Sequence, residues 1–318
     1  MDRRTRVGIA ATVGTELLYG CSFAFTKNVT GSVDPFTLLG WRFVTAFAAM
    51  LVLMAFRVIK VRVTRATLGP LLVLAAFQPL AYYVGETFGV MRTTASESAL
   101  IIAAIPVAMI VTATFIVRRR PSRWQVAGIA VTLVGVVVTV VASGLSARFD
   151  PLGYVLLLAA VVSFSLYAAF AERFAGTASD VDKTFVMVAS GALVFGGITV
   201  GQHAASGTLP WLASLPLTQP GFAFAVGYLA LGSTIGAFFL QNVAIGRIGS
   251  TRFSTFIGLS TITTLVVSAI FLGESLTPAQ LVGGIVILAG VYLANWRLSP
   301  ETSGASDASQ PGRCEPVE

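Results

Sequence analysis

Gln125-Val126-Ala127-Gly128-Ile129 and Gln280-Leu281-Val282-Gly283-Gly284 stand 155 residues apart. At the same offset Leu133-Val134-Gly135-Val136 falls on Leu288-Ala289-Gly290-Val291, and Arg92 falls on Arg247. Glutamine and glycine that recur at matched positions along consecutive apolar runs mark an internal repeat. Earlier in each half the offset drifts to about 145, with Tyr19 near Phe164 and Asp34 near Asp180. The chain therefore reads as two copies of one unit.

Composition says what kind of unit it is. Of 318 residues, 55% are hydrophobic and 11% charged, against about 25% charged in a soluble domain. A water-soluble globule is excluded. So is a disulfide scaffold, because the two cysteines are Cys21 in an apolar run and Cys314 in a polar tail. The single histidine, His203, excludes a histidine metal site or catalytic triad within one chain. The net charge of +7 would suggest nucleic acid if it were clustered, but the charges flank apolar runs. No nucleic-acid partner is expected; the bilayer is.

About 20 apolar residues cross the hydrocarbon core as a helix. Ten such runs are present, at 7–28, 35–56, 67–89, 94–117, 122–142, 151–171, 182–201, 221–246, 251–272 and 277–296. Asp34-Pro35, Arg120-Pro121-Ser122, Asp150-Pro151 and Thr277-Pro278 punctuate them. With the N-terminus inside, inner segments carry 17 of the 21 Lys and Arg, while the outer ones carry only Arg92 and Arg148. A missed span would flip half of the loops and destroy that bias. Both termini are therefore expected in the cytoplasm of a cell whose inner membrane the chain crosses repeatedly. The opening run is long, carries Glu16 and shows no small-residue cleavage site, so it reads as the first span rather than a leader. The expected organisation is a cytoplasmic segment 1–6, one five-helix repeat at 7–142, a second at 151–296, and a disordered cytoplasmic tail at 297–318. In the long outer connector 202–220, Trp211 reads as an interfacial anchor.

Five is odd, so the second copy must thread the bilayer upside down. Inverted repeats build many secondary transporters, with the substrate site between the copies. The expected fold class is an all-α integral membrane protein of ten transmembrane helices in two inverted five-helix repeats.

Further motifs carry a family resemblance. Leu18-Tyr19-Gly20-Cys21-Ser22-Phe23 leads to Lys27; Asp34-Pro35-Phe36 leads to Trp41-Arg42-Phe43; Thr94-Ala95-Ser96 leads to Ile105-Pro106-Val107; Leu272-Gly273-Glu274 precedes the helix with Gly283 and Gly290. In this order, and duplicated, they resemble the EamA-type members of the drug/metabolite transporter superfamily over residues 10–296. The resemblance implies a ten-helix carrier, mostly of the exporting kind. It also implies a cavity lined by the third, fourth, eighth and ninth spans with parts of the first and sixth. Two departures stand out. Arg118-Arg119 occupies the place of Gly-Glu in the first copy, and Thr261 stands where the first copy has Pro106. Lacking that proline, the ninth span is expected to kink less than the fourth.

A charge at the bilayer centre costs about 2.5–3.5 kcal/mol on insertion scales, so polar residues within the spans are candidate pathway residues. They are Glu16, Arg42, Gln78, Glu86, Glu97, Gln241, Asn242 and Arg252. Tyr82, Tyr83, Phe238 and Ser260 add aromatic and hydroxyl lining. The offset maps Glu86 onto Gln241 and Glu97 onto Arg252, which suggests an acidic outer gate and an amide-guanidinium inner gate. The competing readings are snorkelling near helix ends and, for Glu16 and Arg42, a mutual structural pair. Glu16 is the candidate carrier of a coupling proton. Ser and Thr of the ninth span, and the Gly197-x-x-x-Gly201 and Gly232-x-x-x-Gly236 patterns, read as helix contacts.

Neither a GxSxG elbow nor a phosphate-binding GxxxxGK[ST] loop occurs. No cofactor is expected, and the chain reads as no enzyme. The expected activity is secondary transport of a small polar or amphipathic metabolite, of the amino acid or derivative class, in the direction of efflux. The rivals are a non-transporting scaffold or receptor and a membrane-embedded enzyme.

Overall fold

The computed structural model describes residues 3–116, 122–144 and 150–295. The expected tail 297–318, and Arg118, Arg119, Arg120 and Arg148, lie outside these. Every regular element among the described residues is a helix. Eight helical stretches are long and apolar enough to cross a membrane: Arg3–Thr30, Pro35–Ala55, Arg65–Arg92, Ala95–Thr112, Arg123–Val141, Pro151–Arg173, Asp180–Ala205 and Pro220–Ser254. The shorter apolar helices Ile257–Phe271 and Pro278–Ala294 supply the ninth and tenth spans. Large apolar side chains such as Phe115, Leu193, Ile270 and Ile285 stay exposed on the flanks, the surface a bilayer would cover. This is an all-α membrane protein.

The starts of the spans repeat local devices. Asp34 accepts from Thr37 N at 3.1 Å ahead of Pro35, and Asp150 accepts from Leu152 N at 3.0 Å ahead of Pro151. The paired glutamines are capping-box residues. Gln125 accepts from Ser122 N at 2.9 Å, and Gln280 from Thr277 N at 2.8 Å.

Packing follows the duplication. The first span lies on the eighth and ninth, and its counterpart, the sixth, lies on the third and fourth. The second lies on the seventh, and the fifth on the tenth. Exchanging the halves leaves this pattern unchanged, as a pseudo-twofold axis requires. With five spans per copy, that axis lies in the membrane plane. The fifth and tenth spans meet backbone to backbone at the matched glycines. A methyl group on Gly290 would stand 2.9 Å from the Gly128 carbonyl oxygen, and one on Gly283 3.1 Å from that of Gly135. Gly232 and Gly236 face Leu18 of the first span, at 3.6 and 3.4 Å by the same construction. Gly197 and Gly201 meet nothing within 4 Å, so the expected contact there is not made.

Four spans are interrupted. The third carries a π-helical segment, Ala76–Ala81, with Gln78 at φ −138° and ψ 117° beside Pro79. The eighth carries another, Tyr228–Gly236, whose second part is offset from the first by the repeat distance. The fourth breaks at Ala103-Ala104, between Ala95–Ile102 and Ile105–Ile116.

The expectation of a less kinked ninth span does not hold. Thr255-Phe256 interrupts it with the same pair of i→i−3 bonds. Phe256 N donates to Phe253 O at 3.1 Å and Leu259 N to Phe256 O at 2.8 Å, as Ala104 N does to Ile101 O and Val107 N to Ala104 O at 3.0 Å each. The connection ahead of this span is held by a glycine and a carboxylate. Gly249 adopts φ 78°, open to a residue without Cβ, and Glu172 accepts from Ser250 N at 3.2 Å and from its hydroxyl.

Charged side chains clasp the connections between broken spans. Lys27, at the end of the first span, donates to the carbonyls of Val90 at 3.0 Å, Met91 at 3.3 Å and Thr93. Glu274 accepts from Ala95 N at 3.0 Å and Ser96 N at 2.9 Å, capping the fourth span. Glu172 is the counterpart of Lys27 at the offset of about 145. The sign is inverted because one clasp holds the carbonyls that end a helix and the other an amide at the start of a turn. The connector 202–220 contains a helix of its own, Leu209–Thr218, seated by buried Leu212 and Leu215. Trp211 is 41% exposed and rests on the His203 ring at 5.4 Å.

Candidate functional site

The interruptions deliver polar side chains to one region between the copies. Gln78 leaves the third span at its break, and its Nε2 donates to Tyr19 Oη at 3.1 Å. That hydroxyl donates to Gln241 Oε1 at 2.7 Å. Gln241 Nε2 donates back to Gln78 Oε1 at 2.9 Å. The three bonds close a ring across the first, third and eighth spans, and both amides are fully buried. Such a ring satisfies groups that hydrocarbon could not.

Arg42 projects from the second span and is 1% exposed. Its Nε donates to Thr234 Oγ1 at 2.8 Å, and its Nη2 to Ser233 Oγ and Tyr83 Oη at 2.9 Å each. The guanidinium carbon lies 4.2 Å from the Tyr83 ring centroid, a cation–π contact. Ser233 and Thr234 sit in the π segment of the eighth span. An arginine of the first copy is thus held by hydroxyls of the second. Among the described residues it forms no ion pair within 4.0 Å, and the competing reading of a structural pair with Glu16 is not realised.

Two buried carboxylates flank this arginine region. Glu16 lies against the Ser260 hydroxyl of the ninth span. Glu86 accepts from Thr87 Oγ1 at 3.2 Å and lies within the field of Arg42. Tyr82 stands edge-on to Tyr83, centroids 5.1 Å apart. Tyr83 meets Phe238, its own counterpart at the repeat offset, at 6.0 Å. The pseudo-twofold axis therefore passes close to this aromatic pair. Asn242 extends the cluster: Tyr167 Oη donates to its Oδ1 at 2.9 Å, and its Nδ2 donates to Phe238 O at 2.9 Å and Thr184 Oγ1 at 3.3 Å.

The structure thus gathers Glu16, Arg42, Gln78, Tyr82, Tyr83, Glu86, Phe238, Gln241, Asn242 and Ser260 around the crossing of the copies. It places two candidates elsewhere. Glu97 caps its own helix through Thr94 N at 3.1 Å and accepts from Gln280 Nε2 at 2.6 Å. Arg252 is exposed on the short turn after Gly249. Four participants were not anticipated: Tyr19 and Tyr167 as amide partners, and Ser233 and Thr234 as the seat of Arg42. The offset carried a signal for the last two, because it maps them onto Gln78 and Pro79.

Comparison with known proteins agrees with this architecture. A solved crystal structure superposes with a TM-score of 0.63 at 19% identity, covering 92% of this chain and 98% of that one, a likeness of fold. The "Uncharacterized transporter YcxC" of Bacillus subtilis (strain 168) is 31% identical over 293 residues, 92% of this chain and 94% of the relative. A "Probable terminal-alkyne amino-acid exporter" of Streptantibioticus cattleyicolor is 31% identical over 242 residues, 73% and 74% of the two chains. A "Probable amino-acid metabolite efflux pump" of Salmonella typhimurium is 25% identical over 279 residues, 87% and 91%. The pattern of the EamA-like transporter family matches twice, at residues 6–141 and 151–296, so the chain belongs to that family and is a multi-pass membrane transporter.

Proposed function

We propose that the protein is a secondary carrier that exports an amino acid or amino acid derivative by alternating access. It would lie in the cytoplasmic membrane with both termini inside, its two five-helix repeats at 7–142 and 151–296 rocking about the crossing. The observation that carries this reading is Arg42. A buried guanidinium held by neutral hydroxyls keeps its charge available to a carboxylate, and Glu16 and Glu86 nearby suit an ammonium group. Such an amphoteric cluster fits a zwitterion, and Tyr82, Tyr83 and Phe238 offer it aromatic faces. The two relatives named as an amino-acid exporter and an amino-acid metabolite efflux pump support the same class and direction. Glu16 would carry the coupling proton. Glu86 and Gln241 would border the pathway on its two sides, with Glu97 and Arg252 acting at the ends.

The test has two stages. Metabolites in the medium of cells with and without the protein are compared, and the leading compound is then followed by counterflow in proteoliposomes. Counterflow of a zwitterion that Arg42→Gln abolishes at unchanged abundance supports the reading. A scaffold or receptor would show no counterflow, and substitutions at Glu16, Gln78 and Gln241 would alter abundance alone.

A further inference from the structure

The repeat makes each feature at one end of the molecule a control for its counterpart at the other. Arg92 and Arg247 are counterparts at the 155-residue offset. Arg92 Nε meets Asp150 Oδ2 at 3.4 Å, where the sixth span begins. The sixth span corresponds to the first at the offset of about 145, which puts Thr5, set among Arg3, Arg4 and Arg6, in the place of Asp150. Among the described residues Arg247 forms no ion pair within 4.0 Å. Around it lies a cavity of about 620 Å³, lined by Arg3, Arg4, Lys183, Arg247, Asp180 and Ser179 among others.

Within that cavity the charge balance is one-sided. Among the described residues that line it, Asp180 is the one carboxylate, and it already engages Lys183 Nζ at 3.2 Å. Arg4 donates, among the described residues, to the Gly246 carbonyl alone, at 3.2 Å, and Arg3, Arg4 and Arg247 are all exposed. Gly176 and Gly246 leave the floor without side chains, and Val7, Ala175 and Ala178 add an apolar edge where the first and seventh spans meet the interface. At the opposite end, a cavity of about 470 Å³ holds Asp34, the counterpart of Asp180, with Phe36, Phe88, Gln202 and His203, and among the described residues no Lys or Arg lines it. Among the described residues the two end cavities thus differ in charge.

We infer that the arginine-rich cavity is a binding site for a phosphate group, either the headgroup of an anionic phospholipid or a soluble phosphate ester. Three guanidiniums match phosphate oxygens in charge and geometry. Basic pockets at the ends of membrane helices recognise anionic headgroups in this way. The site is separate from the buried cluster, and its occupancy is measured without transport.

The full-length protein is purified and its retained lipid counted by native mass spectrometry in mixed phosphatidylglycerol and phosphatidylcholine. Glycerol 3-phosphate is titrated in parallel by calorimetry. Arg3→Gln/Arg4→Gln/Arg247→Gln is compared with Arg57→Gln/Lys60→Gln/Arg65→Gln, which removes as many charges from one connector outside the cavity. Gly246→Glu, whose Cβ would meet Asp180 Oδ1 at an ordinary contact distance of 3.8 Å, sets a second carboxylate at the cavity wall and serves as a single-site check on folding. Retention of phosphatidylglycerol over phosphatidylcholine that falls about tenfold in the first triple variant and in Gly246→Glu, and less than twofold in the control, supports the lipid source. Glycerol 3-phosphate binding with the same dependence on variants, and no lipid preference, supports the soluble source. Equal behaviour of both triple variants towards both probes overturns the site.

Discussion

Arg42 carries the chemistry of the site through geometry that few other residues could reproduce. Its planar fork reaches Thr234, Ser233 and Tyr83 together while stacking on the Tyr83 ring. A lysine has the charge but neither the fork nor the stacking plane. Arg42→Lys is expected to keep near-normal abundance and to lose transport about tenfold, the effect of roughly 1.4 kcal/mol of misplaced binding energy, measured as counterflow per folded carrier. The Tyr19–Gln78–Gln241 ring makes a different prediction. Gln78→Leu and Gln241→Leu each strand a buried partner, and the double variant strands fewer groups than the sum implies. A double-mutant cycle on thermal stability should return a coupling of about 0.6–1.7 kcal/mol, the range of hydrogen bonds between membrane helices; additive effects would show that the ring bonds do not cooperate. Most of this cluster was legible because polar residues in hydrocarbon are conspicuous. Ser233 and Thr234 were hidden because hydroxyls are tolerated in any membrane helix, where they usually bond to their own backbone. Tyr19 was hidden because an aromatic reads first as packing.

Among the elements, the fifth and tenth spans show how a repeated glycine becomes structure. Gly128, Gly135, Gly283 and Gly290 form a crossing with no room for side chains. Gly135→Leu should lower the yield of monodisperse protein severalfold and cost about 1–3 kcal/mol or more of stability through overpacking. Gly197→Leu should leave both within error, since that glycine faces open space; size-exclusion profiles and melting curves decide both cases. The two patterns look alike in the sequence. What separates them is the recurrence at the repeat offset, which marks a helix face that must meet its own counterpart. The ninth span teaches the converse. Absence of Pro106's counterpart suggested a straighter helix, yet Thr255-Phe256 breaks it with the same pair of i→i−3 bonds as the fourth span. A break made without proline leaves no mark in the local pattern.

At the scale of the whole molecule, opposed threading of the copies is the premise of the transport reading. In a chain with Cys21→Ser and Cys314→Ser, Arg123→Cys should react with a membrane-impermeant maleimide only from the cytoplasmic face, and Ser275→Cys only from the opposite face. Labelling of both from one side would end the proposed topology. The charge bias and the odd number of spans carry this expectation in the sequence itself, whereas the end cavity needed the structure, because Arg3, Arg4 and Arg247 are far apart in the chain. Arg42 links these scales. It is rooted in one copy and seated on the other, so any rocking of the copies must either break its seat or swing its charge. A unit charge traversing the full membrane field exchanges about 2.3 kcal/mol per 100 mV. If the guanidinium crosses even part of that field, turnover acquires a voltage dependence when the cargo itself is electrically neutral. The resting potential then becomes a lever on the direction of net flow.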